Sequence, residues 1–431
     1  MASAAPQPHA VPAGGSKHRP ARSRLWARVA VVALVGIVVA ACASRPVGVL
    51  GPVAQTVPGT SEVNMLVATT RAPATDPNVL FTGERGTKVS LTAFTISIPP
   101  EERRQVGQVQ WPRRLPANPA TDFATVNVDP LAGEQAARKW LDGHLTPSGR
   151  VLIFVHGFNN RFEDAVYRFA QIVHDSGADA APVLFTWPSR ARVFDYLFDR
   201  ESTIFSRDAF EETVWQISKD PRVKDVTVMA HSMGAWLAME GLRQMAIRRG
   251  TLPAKISNVI LASPDVDVDV FATQWRALES PKARFTLFVS SDDRALQVSR
   301  RIAGGVDRLG QIDPNRYYAE LEKSGIVVID LTAMRSGDTL NHGRFASSPE
   351  VVQAIGQRLV NGQTVTDSDV SLGDRIAVGA MGVGQAVGSA AGLAITAPIA
   401  VIDPATRQTY QDQLQQFGRT VSETAQDPAA D

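Results

Sequence analysis

Cysteine is nearly absent: among 431 residues there is one, Cys42. A single thiol excludes an internal disulfide and the multi-thiolate metal clusters. No metal or cofactor is expected. Histidine is scarce as well, and only His342 lies downstream of residue 232. The formal net charge is +1, so nothing recommends nucleic acid as a partner. Acidic residues are missing from the first 42 positions, which nevertheless hold Lys17, Arg19, Arg22, Arg24 and Arg28.

Those five cations precede an uncharged apolar run at 29–41. A basic segment followed by a short apolar stretch has the form of an export signal, expected over 1–41. Thirteen residues are too few to span a bilayer comfortably. Val39-Ala40-Ala41-Cys42 resembles a bacterial lipobox, in which the cysteine becomes the lipidated first residue of the mature chain. The other reading is a stray buried cysteine in a plain signal peptide or short anchor. Residues 42–61, rich in Pro, Gly, Val and Thr, suit a flexible tether. The expected location is the cell envelope. Ala43, standing where an aspartate would retain a lipoprotein at the inner membrane, points to the outer one.

From about residue 62 to 362 the pattern is that of one α/β domain. Strands are expected at 64–69, 89–98 and 123–128, then a helix at 131–145. The continuous apolar run 151–155 suits a strand buried on both faces. Helix 161–175, strand 182–186, helix 207–219, strand 226–230 and helix 234–248 follow by their periodicity. Strands at 256–262, 285–290 and 325–331 and a helix at 349–360 complete the series. This alternation argues for a mostly parallel sheet covered by helices on both faces. Residues 363–431 differ. Stretch 376–402 lacks charge, and Gly384, Gly388 and Gly392 recur every four residues. That spacing lets helices approach closely in a membrane. It equally suits a hairpin docked on a soluble domain, and both readings stand.

Ser232 lies in Met229-Ala230-His231-Ser232-Met233-Gly234, after a β-branched strand and before a helical pattern. That is the sequence form of a nucleophile elbow. A serine hydroxyl attacks only when a base takes its proton, and His342 is the candidate. The elbow wants small neighbours; Gly234 fits, whereas Ala230 stands where glycine is more usual. The amide of Met233 would face the developing oxyanion. The loop His156-Gly157-Phe158-Asn159-Asn160 would add the amide of Phe158. Its backbone is the functional part, and the His156 imidazole is read as structural. Asp293, after strand 285–290, is the preferred acid to orient His342. Asp265, after strand 256–262, is the rival. Asp292 adjoins Asp293, and only one of the two is expected to reach.

The HGFNN loop, Phe185-Thr186-Trp187-Pro188-Ser189, AHSMG, SPDVD, SSDDRAL and NHGRF occur in order, and residues 196–202 add a further match. Together they resemble a bacterial α/β-hydrolase family of unknown function in the esterase/lipase superfamily, over about 63–360. The resemblance implies the α/β-hydrolase fold and a Ser-His-Asp triad, and no particular substrate.

The expected activity is that of a membrane-anchored carboxylic-ester hydrolase acting through an acyl-enzyme on a small-molecule or lipid ester. The alternative is a non-catalytic envelope lipoprotein using the fold as a binding or scaffolding module. Only about twenty residues separate 262 from 285, too few for a bulky lid. Segment 187–207 is the candidate pocket wall, with Trp187, Phe194, Tyr196, Leu197 and Phe198 near Arg190, Arg192 and Arg200. The same aromatics would also serve simply to pack the loop.

Overall fold

The computed structural model describes residues 47–356, apart from 279–280, 314–315 and 335–337. Within them the chain runs β1 (Ser61–Pro73), β2 (Phe81–Ile98), β3 (Ala124–Leu131), α1 (Glu134–His144), β4 (Arg150–Val155), α2 (Phe162–Ser176) and β5 (Ala181–Thr186). Next come α3 (Tyr196–Lys219), β6 (Asp225–His231), α4 (Met233–Arg249), β7 (Ile256–Ala262), α5 (Val268–Ala277), β8 (Arg284–Val289) and α6 (Arg294–Ile302). Helix α7 (Tyr318–Lys323), β9 (Val327–Asp330), α8 (Arg344–Ser347) and α9 (Pro349–Ala354) follow. The strands form a single sheet in the order β3-β2-β1-β5-β4-β6-β7-β8-β9. The first three pair antiparallel, and every neighbour from β1 to β9 is parallel. This is the α/β-hydrolase architecture that the motifs imply.

Alternation along the strands builds two apolar layers. Val151, Ile153 and Val155 of β4 join one layer with Phe210 of α3 and Leu237 of α4. Leu152 and Phe154 join the other with Phe162 and Phe169 of α2 and Val351 of α9. Residues buried on both faces explain why this strand reads as an unbroken apolar run. Every loop that leaves the carboxyl end of a parallel strand therefore emerges along one edge. In open α/β sheets that edge is where ligands bind.

Two expectations change. Residues 47–53, expected within the flexible tether, lie against the domain, whereas 54–60 stay exposed or half-buried. Val49 and Leu50 are fully buried, and the Val53 amide donates to the Thr125 carbonyl at 2.9 Å. Their apolar side chains gain more from burial than a short extended segment gains from freedom. Helix α3 begins at Tyr196, eleven residues before the expected start at 207. The signal at 1–41, Cys42 and the tail 363–431, including 376–402, lie outside the described residues. Among the described residues no helix is long and apolar enough to cross a membrane.

Candidate active site

Ser232 is the single residue between β6 and α4, at φ 54° and ψ −124°. A non-glycine residue there is strained by about 1–3 kcal/mol, a cost that surrounding structure must offset. Neighbouring strand ends hold it. The Ser232 amide donates to Ala262 O at 3.0 Å, and its carbonyl accepts from the Asp265 amide at 3.1 Å. Gly234 is required because a β-carbon there would lie 2.3 Å from the His156 carbonyl oxygen. A β-carbon on Gly157 would lie 2.8 Å from the Ser232 β-carbon. The two glycines thus let the 156–160 loop and the elbow meet in van der Waals contact. Ala230 is fully buried in β6, opposite Val155 and Leu261, where a methyl group is accommodated.

His342 Nδ1 donates to Asp293 Oδ2 at 2.7 Å. Asp293 is wholly buried, and its other oxygen caps α6 by accepting the Leu296 amide at 2.9 Å. The capping contact fixes the carboxylate before it meets the imidazole. The His342 ring lies 4.7 Å from the ring of His231, the neighbour of Ser232. His231 Nε2 donates to the His342 carbonyl at 3.3 Å. Asp338 pins the loop that carries His342 by accepting the amides of Leu340, His342 and Gly343. No hydrogen bond joins the Ser232 hydroxyl to His342 among the described residues. Catalytic contacts of this kind are often long until substrate is bound.

Electrostatics separate the histidines. Burial opposes charge on His342, but the hydrogen bond and charge of Asp293 outweigh it and hold the imidazole above its ordinary range. Burial, with His342 beside it, pushes His231 well below. Burial and the neighbouring Arg71 take His156 down to about 3. His156 is therefore neutral. Its Nδ1 donates to Gly157 O at 2.9 Å, and its Nε2 accepts from the Trp187 amide at 3.2 Å.

The other expected residues separate cleanly. Asp265 does not reach His342; its carboxylate accepts from the Tyr196 hydroxyl at 3.0 Å and from Ser299, with buried Arg308 at 3.4 Å. Asp292 turns to Arg344 and Asn341, and the Arg344 bond holds its carboxyl down at about 2. Met233 opens α4, so its amide has no acceptor within that helix. The amide sits at the positive end of a 17-residue helix. Phe158 follows Gly157 in the loop that touches Ser232, and its ring stands edge-on to Tyr196 at 5.3 Å. Cys42 lies outside the described residues. Among the described residues no group of three or more His, Cys, Asp or Glu is placed to hold a metal ion.

Two residues escaped the sequence reading. Arg71, at the end of β1, is 1% exposed and binds no carboxylate directly. It donates to Asn160 O at 2.8 Å, Ser189 O at 3.0 Å, Thr82 O at 3.2 Å and Thr186 Oγ1 at 2.8 Å. One guanidinium thereby ties the Phe158 loop to the segment after β5. Asp199 completes that segment by accepting from the Ser189 hydroxyl and the Arg190 amide. A charged residue at the end of an apolar strand is the one signal that marks Arg71. Nothing local marks Asp199.

Segment 187–207 divides in two. Trp187 is buried and stacked on His156, Tyr196 is buried, and Phe198 lies under Arg190. Phe194 and Leu197 face solvent. An apolar cavity of about 280 Å³ between α1, α3 and the β1–β2 face shares no lining residue with the Ser232 neighbourhood.

The model of one protein family, described as alpha/beta hydrolase of unknown function (DUF900), matches residues 133–358. A lipase-esterase related protein from Clostridium acetobutylicum is similar at 11% identity and TM-score 0.28, covering 48% of this chain and 93% of its own. An esterase from Pyrobaculum calidifontis is similar at 12% identity and TM-score 0.28, covering 76% and 89%. A fungal esterase from Rhizomucor miehei is similar at 14% identity and TM-score 0.26, covering 62% and 76%. Likenesses this distant say nothing about activity. No curated protein matches the chain.

Proposed function

The chain belongs to the family of alpha/beta hydrolases of unknown function, and from that premise we propose that it is a serine hydrolase, a membrane-anchored carboxylic-ester hydrolase working through an acyl-enzyme. Ser232 Oγ attacks the ester carbonyl while His342 Nε2 takes its proton. Asp293 fixes the imidazole through Nδ1 and stabilises its cation. The amides of Met233 and Phe158 hold the oxyanion of the tetrahedral intermediate. The imidazolium returns the proton to the departing alcohol. Water then cleaves the acyl-enzyme, with His342 again as base.

The observation that carries this reading is the 2.7 Å contact of His342 with a wholly buried carboxylate, beside a serine in a strained elbow. A purely structural loop needs neither the strain nor the buried charge. The test is hydrolysis of short p-nitrophenyl esters, together with labelling by a fluorophosphonate. We expect stoichiometric labelling at Ser232 and a loss of at least about 10³-fold in rate for Ser232→Ala. A folded Ser232→Ala variant as fast as the parent refutes the reading. Folded parent protein that takes no label leaves the scaffold as a binding module.

Anchoring is part of the proposal. Cys42 carries the lipid and places the domain at the envelope, in the outer membrane where there are two. Two or more acyl chains hold firmly where one does not.

A further inference from the structure

We infer that the catalytic edge of the domain docks directly on a phospholipid bilayer, with Val193, Phe194 and Leu197 entering the acyl region, and that its substrates are esters borne by membrane lipids. The substrate class rests on the hydrolase reading above, and the choice of a membrane as occupant rests on the lipid proposed at Cys42.

Phe194 is 100% exposed, Leu197 66% and Val193 60%. Large apolar side chains clustered at one turn are costly in water and mark a contact surface. They serve no packing role, since Trp187 and Tyr196 already seat the segment on the domain. Tyr196 sits between them in the chain, with its hydroxyl on Asp265 and its ring against Phe158. The patch is therefore the rim of the Ser232 site. Arg192, exposed beside it, suits phosphate headgroups.

The route of the chain selects a membrane as the occupant. The Leu50 amide donates to Asn78 O at 3.3 Å, in the connection between β1 and β2. The same hairpin meets the patch-bearing segment: a β-carbon on Gly83 would lie 2.7 Å from the Arg190 Cα, and Glu84 pairs with Arg190 at 2.8 Å. The point where the N-terminal chain joins the domain thus shares a hairpin with the rim. Val49, Leu50 and Val53 being buried in the domain, four residues lie between Cys42 and Val47, so the two are five steps apart, a reach of at most about 18 Å. A lipid on Cys42, as proposed, keeps Val47 within that chain length of the bilayer.

Cys42 being the sole cysteine and acylated in this reading, Phe194→Cys provides the one free thiol of the full-length lipoprotein. An environment-sensitive nitrobenzoxadiazole probe is attached there, with the unsubstituted protein as labelling control. The protein is reconstituted into phosphatidylethanolamine–phosphatidylglycerol vesicles. We expect a blue shift, a several-fold rise in emission and quenching by lipids brominated on their acyl chains. Emission like that in water overturns the docking, whether or not the protein hydrolyses esters. An apolar signal that brominated lipids do not quench overturns it too, and assigns the patch to stretch 376–402 or a second copy. Leu197→Asp tests the substrate class. It should slow hydrolysis of a vesicle-borne ester at least tenfold more than it slows hydrolysis of soluble p-nitrophenyl acetate. An equal slowing on both esters overturns the lipid assignment. A parent inactive on both esters removes the hydrolase reading and with it the substrate class, and the probe still decides the docking.

Discussion

His342 titrates under two opposed influences, burial and the carboxylate of Asp293, and the carboxylate prevails. A base raised above its ordinary range near 6.5 is protonated, and idle, over more of the acid side. We expect kcat/KM on a neutral ester to fall about tenfold per pH unit below an apparent pKa higher than 6.5. Asp293→Asn should lower that apparent pKa and reduce kcat by about 10³–10⁴-fold. Asp265→Asn should lower the apparent pKa less than Asp293→Asn does, because that carboxylate acts on His342 through charge alone and is bonded to Tyr196 and Ser299. A pH–rate series on the three proteins reads both outcomes. His156 has the opposite sign. Its folded pKa is pushed down to about 3, so stability is present above the unfolded value and is lost as pH falls through that interval. Denaturant midpoints should therefore drop between about pH 6.5 and 3. A His156→Gln variant that loses stability just as steeply there would assign the drop to other groups.

The loop between β4 and α2 is tied to a distant strand through Arg71, beside bonds from Ser189 and Trp187. Its bonds end on the carbonyls of Thr82, Asn160 and Ser189, the last of them fully buried. Each buried acceptor left unmade costs about 1–3 kcal/mol. Arg71→Met should lower the melting temperature by several degrees and reduce kcat more than it changes KM, because the Phe158 amide loses its support. A KM effect alone would show that the loop stays in place. The sequence held the strands and the two glycine-bearing loops, since apolar periodicity and tight backbone contact leave local marks. Ser232, Asp293 and His342 each follow a strand or loop whose end could be read. What could not be read depends on partners far along the chain. Arg71 reaches Ser189 across 118 positions, and Tyr196 reaches Asp265 across 69. The first turns of α3 were missed for a related reason. Asp199 and Ser202, both fully buried, face polar partners there, so no apolar period appears.

At the scale of the whole chain, the proposed attachment to a membrane is testable at two segments, Cys42 and stretch 376–402, both outside the described residues. They make different predictions. A lipid on Cys42 gives incorporation of labelled fatty acid into the parent and none into Cys42→Ser, and this substitution moves the protein from carbonate-washed membranes to the soluble fraction. An anchor at 376–402 keeps Cys42→Ser in the washed membranes and releases a chain lacking that stretch. The apolar run at 29–41 does not blur the outcome, being too short to serve as a stable span. The physical weight falls on the lipid. Each buried methylene of an acyl chain contributes about 0.8 kcal/mol, and two or more chains exceed what a glycine-rich, weakly apolar stretch gains in the bilayer. We therefore expect release by Cys42→Ser, and retention of that variant would transfer the anchor to the far end of the chain.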